Sequence, residues 1–277
     1  MKTVSKILFS LFCLLAFIAL GSVVVPAHAF DLSTYVHSLS SDSLLYGGSS
    51  FAFAVAAKNN HRAVFNAMKQ KYPSAIITDS YLRMEASIQG TFNQIQFSVL
   101  QNQPPINNTE RRLAITDRFC VTQMGLFLMK AGTSTTATQA QIAGAGLRTW
   151  PNPQIFTGAA EAVALQNIYN GFMQVKIDST TYFDSLDLMR FYRVPVSQQG
   201  VAYIAAGPAL NQIQRDGWDI LNYGYCPIDP TFEMSGRGKN DLSLQLPVSV
   251  DLSGTSTQNF AVLITRGFLM QNAAKNS

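Results

Sequence analysis

The chain reads as an all-β protein, a β-sandwich of jelly-roll or Greek-key type with short helices in its connections. Three observations predict this. Apolar and polar residues alternate with period two in several segments, most regularly from Leu242 to Leu252. Breaks marked by Gly, Asn and Pro separate those segments, and helical periodicity is confined to short stretches. The most regular strands lie far apart in the chain, which favours crossed wiring over a simple meander.

Residues 1–29 form an apolar leader. Lys2 and Lys6 precede an uncharged apolar run from Ile7 to Val25, and Pro26 leads into Ala27-His28-Ala29. A positive start, an apolar middle and small residues at the exit are what the export machinery and its peptidase read, so cleavage before Phe30 is expected. The same run is long enough to cross a bilayer, since about 20 apolar residues suffice. If retained, residues 7–25 would be a helical membrane anchor. Either way the protein is expected to be exported, to the periplasm, the cell surface or beyond.

Removing 29 of the 277 residues leaves 248, enough for one large β-domain or two small ones. The leader takes two lysines and no acid with it, so the net charge falls from +4 to +2. That near-neutral balance offers no electrostatic case for a nucleic-acid groove. Charged residues are only 13% of the chain, well below the usual quarter. Such a surface suits a protein whose outer faces meet copies of itself; an ordinary secreted domain with an uncharged polar surface is the other reading.

Residues 30–80 read as an N-terminal arm. Phe30 to Gly48 is rich in Ser and Leu, and Asn60 caps a short helix from about His61 to Lys71 that Pro73 ends. Val64, Phe65 and Met68 share one face of it. The sandwich is expected over 81–277. Leu82, Met84, Ala86 and Ile88 alternate with polar residues, as do Ile95, Phe97 and Val99, so each strand has one buried face. Gln101 to Glu110 is a loop. Leu113 to Lys130 is one bent strand or two, covered on both faces near Leu126 to Met129.

Thr133 to Trp150 shows no sustained period and reads as a long surface loop. Gly158 to Asn170 fits a helix stopped by Gly171. Met173 to Phe183 has the pattern of a hairpin, and Pro208 to Asp216 of a short helix. In the strand from Leu242 to Leu252, Pro247 lacks an N–H to donate, which predicts an edge position or a local bulge. Phe260 to Met270 is the closing strand.

Chemistry-bearing motifs are sparse. After cleavage the only histidines are His37 and His61, both ahead of the β-core and without metal-ligand spacing. No Gly-x-Ser-x-Gly elbow occurs. Gly236, Gly238 and Lys239 mark a tight turn rather than a phosphate loop. Asn107-Asn108-Thr109 matches a glycosylation sequon. Asp184 and Asp187 stand near Arg190 and Arg193; they form either a salt-bridged turn or, less economically, an acid pair of glycosidase type. Arg111, Arg112, Asp117 and Arg118 make a second mixed cluster, which either faces solvent or contacts a neighbouring subunit, where the guanidinium fork serves well. Cys120 and Cys226 form one disulfide or remain two buried thiols. No catalytic residue, metal site or cofactor is assigned.

The strand-rich part, about Tyr81 to Ala273, resembles the jelly-roll coat proteins of tailless, icosahedral bacterial viruses. The likeness is one of style. It rests on Arg112-Leu113-Ala114-Ile115-Thr116-Asp117-Arg118-Phe119 entering an apolar strand, on the hairpin from Phe172 to Tyr192, and on Leu242 to Leu252 followed by Phe260 to Met270. The resemblance implies self-assembly into a shell, with polar loops outside and the arm locking neighbours. Coat proteins rarely carry an export signal, so under this reading the leader is retained as an anchor beneath the shell. The first expectation is therefore a non-enzymatic, self-assembling structural protein of a virion or envelope. The second is an exported carbohydrate-binding or surface-partner-binding domain that uses the Thr133–Trp150 loop and the aromatics Trp150, Trp218 and Tyr223.

Overall fold

Alternating side chains pair into nine strands among the residues that the computed structural model describes, which are 61–132, 136–157, 159–194 and 224–274. The strands are β1 (Ile76–Ile88), β2 (Thr91–Phe97), β3 (Arg118–Ala131), β4 (Leu147–Arg148), β5 (Phe172–Ile177), β6 (Thr180–Asp187), β7 (Cys226–Ser235), β8 (Asn240–Asp251) and β9 (Gln258–Gln271). All the named pairings are antiparallel. The first sheet runs β1-β9-β3, with β7 and the two-residue β4 along the far side of β3; the second runs β2-β8-β5-β6. Pairing is nested: β1 lies against β9, β2 against β8, β3 against β7, and β5 against β6.

The inward faces of both sheets share one core. Leu82 and Met84 of β1, Leu126 and Leu128 of β3, and Ala261 and Leu263 of β9 meet Ile95, Phe97, Met173, Val175, Leu242 and Leu244 of the second sheet. The protein is thus an all-β sandwich with short helices in its connections. The first sheet is buried on its other face too, as the uninterrupted apolar run Leu126 to Met129 predicts. Phe127, Met129, Phe260 and Val262 pack there beneath Ile142. Phe268 and Met270 pack beneath Val64, Phe65 and Met68, the predicted face of the helix at 61–71, here α1. This helix therefore belongs with the sandwich, as does β1 from Ile76; both were expected in the arm.

A bulge and a close approach shape the first sheet. β3 bulges between Val121 and Gln123 against both of its neighbours, β7 and β9. Opposite the bulge, Gly267 lets β9 come so near that a Cβ there would stand 1.9 Å from the Cys120 carbonyl oxygen. Only glycine fits such an approach.

One expectation changes, one is decided between its two alternatives, and one strand was not foreseen. Thr133–Trp150 holds a short helix, α2 (Gln139–Gly144), and β4. A capping box starts α2: Thr138 accepts from the Gln141 backbone, and the Gln141 side chain reaches back to the cap. Of the two readings of Pro247 the bulge holds and the edge does not, because β8 is paired on both sides, with β2 and β5. Pro247 sits at an irregularity where pairing with β2 jumps from Val250 opposite Phe92 to Gln245 opposite Gln94, so its missing N–H leaves no ladder position empty. β7 was not foreseen, because Pro227 and Pro230 interrupt its period. The Gly158–Asn170 helix is observed as α3 (Ala159–Gln166) continued by a 3-10 turn at Asn167–Asn170. The leader, the anchor span 7–25, His37 and the 208–216 helix lie outside the described residues.

Candidate functional site: clefts and contact surfaces

The Arg111–Arg118 cluster does not act as one surface. Arg112 is buried, at 6% exposure. Its guanidinium forks onto Glu110, with Nη2 at 2.8 and 2.9 Å from the two carboxylate oxygens and Nε at 3.0 Å from one of them. Nη2 also donates to Pro105 O at 2.9 Å, and Nη1 to Gln103 O. Glu110 in turn accepts from the backbone N–H groups of Glu85 and Asn107. The 101–110 loop is wrapped around this ion pair, so Arg112 is an internal strut and not the subunit contact its sequence position suggests. Asp117 is half-buried and accepts from Thr116 Oγ1 and from the backbone of Asn272. Arg111 stays exposed, its guanidinium 5.2 Å from the centre of the Tyr81 ring on β1.

Arg118 and Cys120 enter a polar cleft of about 390 Å³ between the edge strands β6 and β7, together with Lys71, Tyr182 and Glu233. Lys71 Nζ and Tyr72 OH each donate to Glu233 at 2.7 Å. Burial works against the Lys71 charge, yet the hydrogen bond and charge of Glu233 outweigh it and raise its pKa. Burial, then Glu233, raise Tyr72. Burial, reinforced by the Glu233 charge, pushes the Cys120 thiol up to about 11. It is therefore protonated at neutral pH and a poor nucleophile. Asp178, at the mouth of the cleft, accepts from the Lys239 backbone at 2.8 Å.

Asp184 and Asp187 are not an acid pair facing a cavity, nor do they form the predicted salt-bridged turn with arginine. Asp184 accepts from Gln174 Nε2 at 3.0 Å. Asp187 caps the 3-10 turn Leu188–Phe191 through the Met189 N–H. Arg190 and Arg193 lie instead near Cys226, whose thiol donates to the Arg190 carbonyl at 2.9 Å and is raised by burial against their charges. Both cysteines are free. Register places Cys120 opposite Glu233 and Cys226 opposite Met124, four residues along the same pair of strands. That offset is about 13 Å of strand, far beyond disulfide reach.

A second cavity of about 390 Å³ is apolar, formed by Trp150, Pro151, Phe156, Val163 and Tyr192 with Gln166 at its rim. Trp150 was expected at a binding surface; its proposed companions Trp218 and Tyr223 lie outside the described residues. The outer face of the second sheet is different again. Gln94, Gln245, Gln96, Ser243 and Gln174 occupy successive outward positions on paired strands, with Asp184, Asp187, Asp241 and Lys176 among them. It is rich in amides and acidic on balance.

Among the described residues no group of His, Cys, Asp or Glu is placed to hold a metal ion, and no helix is long and apolar enough to cross a membrane. Comparison with protein-family models, with curated proteins and with solved structures finds no match to this chain.

Proposed function

We propose that this protein is a non-enzymatic structural subunit that self-assembles through a jelly-roll sandwich, as a component of a viral capsid or of a shell associated with an envelope. The observation that supports this most is the nesting of the strands. A jelly roll is one antiparallel ribbon wound on itself, so first pairs with last and innermost with innermost, which is the β1·β9, β2·β8, β3·β7, β5·β6 order. The two-residue β4 is an addition to that scheme. The apolar leader fits a retained anchor at residues 7–25 in this reading, and export or residence in a virion follows from it.

Surface chemistry favours the same reading. The two carboxylates lining the polar cleft are held by structural hydrogen bonds, and the cleft thiol is held in its unreactive form. The sheet face rich in amides and carboxylates, and the exposed Arg111–Tyr81 pair, are suited to contacts between copies. Light scattering on the purified protein across a concentration series tests the proposal. Large regular particles, or mass rising with concentration, are expected; a monomer at every concentration would exclude it.

A second reading, an exported glycan-binding domain, draws on the Trp150–Tyr192 cavity, where aromatic walls and the Gln166 amide suit a sugar ring. Glycan-array binding that is lost in Trp150→Ala, with a monomeric protein, would establish it in place of assembly.

A further inference from the structure

Three polar side chains meet on the inward face of the first sheet, beneath α3. Lys130 on β3 and Asn259 on β9 follow the alternation of the core residues Leu128 and Ala261, and they are direct register partners. Opposed positions of that kind hold their Cβ atoms about 4.5–5.5 Å apart. Glu161 of α3 bridges them, accepting from Lys130 Nζ at 2.9 Å on Oε2 and from Asn259 Nδ2 at 2.8 Å on Oε1. Asn259 is 1% exposed and Glu161 6%. The ammonium also lies 5.9 Å from the centre of the buried Phe156 ring. One feature is left unsatisfied. Asn259 Oδ1 is buried without a hydrogen-bond partner, a state that costs free energy and calls for a cause.

We infer that Lys130 and Asn259 join without help from another molecule, forming an isopeptide bond between β3 and β9 with Glu161 carrying the protons. Lysine nitrogen is a nucleophile once it is uncharged. Glu161 takes a proton from the Lys130 ammonium along the existing hydrogen bond. The freed lone pair adds to Asn259 Cγ, forming the C–N bond and moving the carbonyl π pair onto Oδ1. As that oxygen re-forms the carbonyl, Glu161 returns its proton to Nδ2, the Cγ–Nδ2 bond breaks, and ammonia departs with the proton shed by the new amide nitrogen. One ammonium group and one primary amide become one secondary amide and one ammonium ion, so atoms and charge balance without an oxidant. Fixing the reactants as opposed residues of neighbouring strands supplies the proximity on which such a slow step depends.

Peptide mapping and intact-mass spectrometry of the purified full chain test this directly. The bond removes one ammonia, about 17 Da. It also blocks tryptic cleavage at Lys130, so peptide 119–148 should be found joined to peptide 240–266. Lys130→Arg should abolish the joined species, and Glu161→Gln should reduce its yield at least tenfold. Recovery of peptides 119–130 and 240–266, each at its unmodified mass, from folded wild-type protein would overturn the inference without recourse to any variant. A joined species at full yield in Glu161→Gln would overturn the role given to Glu161.

Discussion

Replacing Arg112 separates an internal strut from a subunit contact. Its side chain is 4% exposed and that of Glu110 1%. Arg112→Met keeps much of the volume and removes every donor. Glu110 is left buried, with two backbone N–H groups but no countercharge, and the carbonyls of Gln103 and Pro105 lose their partner. Breaking a buried pair by removing one member costs about 3–5 kcal/mol. In a domain of this size that lowers Tm by on the order of 10 °C. Urea unfolding of the purified protein, followed by tryptophan fluorescence, measures it. Adding Glu110→Gln should recover part of the loss, because the stranded charge is removed. Unfolding within about 0.5 kcal/mol of wild type, with self-association lost, would refute the account and return Arg112 to the surface.

Other outcomes follow from the same structure. Gly267→Ala forces a Cβ against the Cys120 carbonyl and should cost at least about 1–3 kcal/mol, read as a shift in the urea midpoint. Burial raises the pKa of Cys120 to about 11 and also raises Tyr169, Tyr192 and Tyr225. The unfolded chain loses these protons first, so stability should be intact below about pH 8.5 and fall as the pH climbs toward 11; pH-dependent melting curves would reveal a flat alkaline limb if this is wrong. Asp184→Lys reverses a charge on the exposed sheet face and should weaken self-association several-fold while changing stability by less than about 1 kcal/mol. Arg111→Ala removes an exposed stacking contact and should change stability by at most about 1 kcal/mol.

Local pattern made much of this fold legible. The alternation from Leu242 to Leu252 located β8, and the unbroken apolar run at Leu126 to Met129 foretold a strand covered on both sides. Pro247 was readable as an edge or a bulge, but only the pairing of β2 and β5 on either side of β8 decides between them. β7 escaped because two prolines hide its period, although it packs Phe232 and Met234 fully into the core. α2 is too short to show a helical period; the Thr138–Gln141 spacing was its visible signature. Site residues were harder. Arg111 and Arg112 are adjacent and identical in type, yet one faces water and the other is enclosed, because Glu110 and the carbonyls of the 101–110 loop gather around only one of them. Lys130, Glu161 and Asn259 left no trace in the sequence at all, since they are brought together from positions 31 and 98 residues apart.

Electron imaging of the purified protein tests the central claim most directly. The account predicts closed particles of uniform diameter, in which each subunit is a two-sheet body joined to its neighbours through polar faces and edges. A field of single, unassociated molecules at high protein concentration would contradict it.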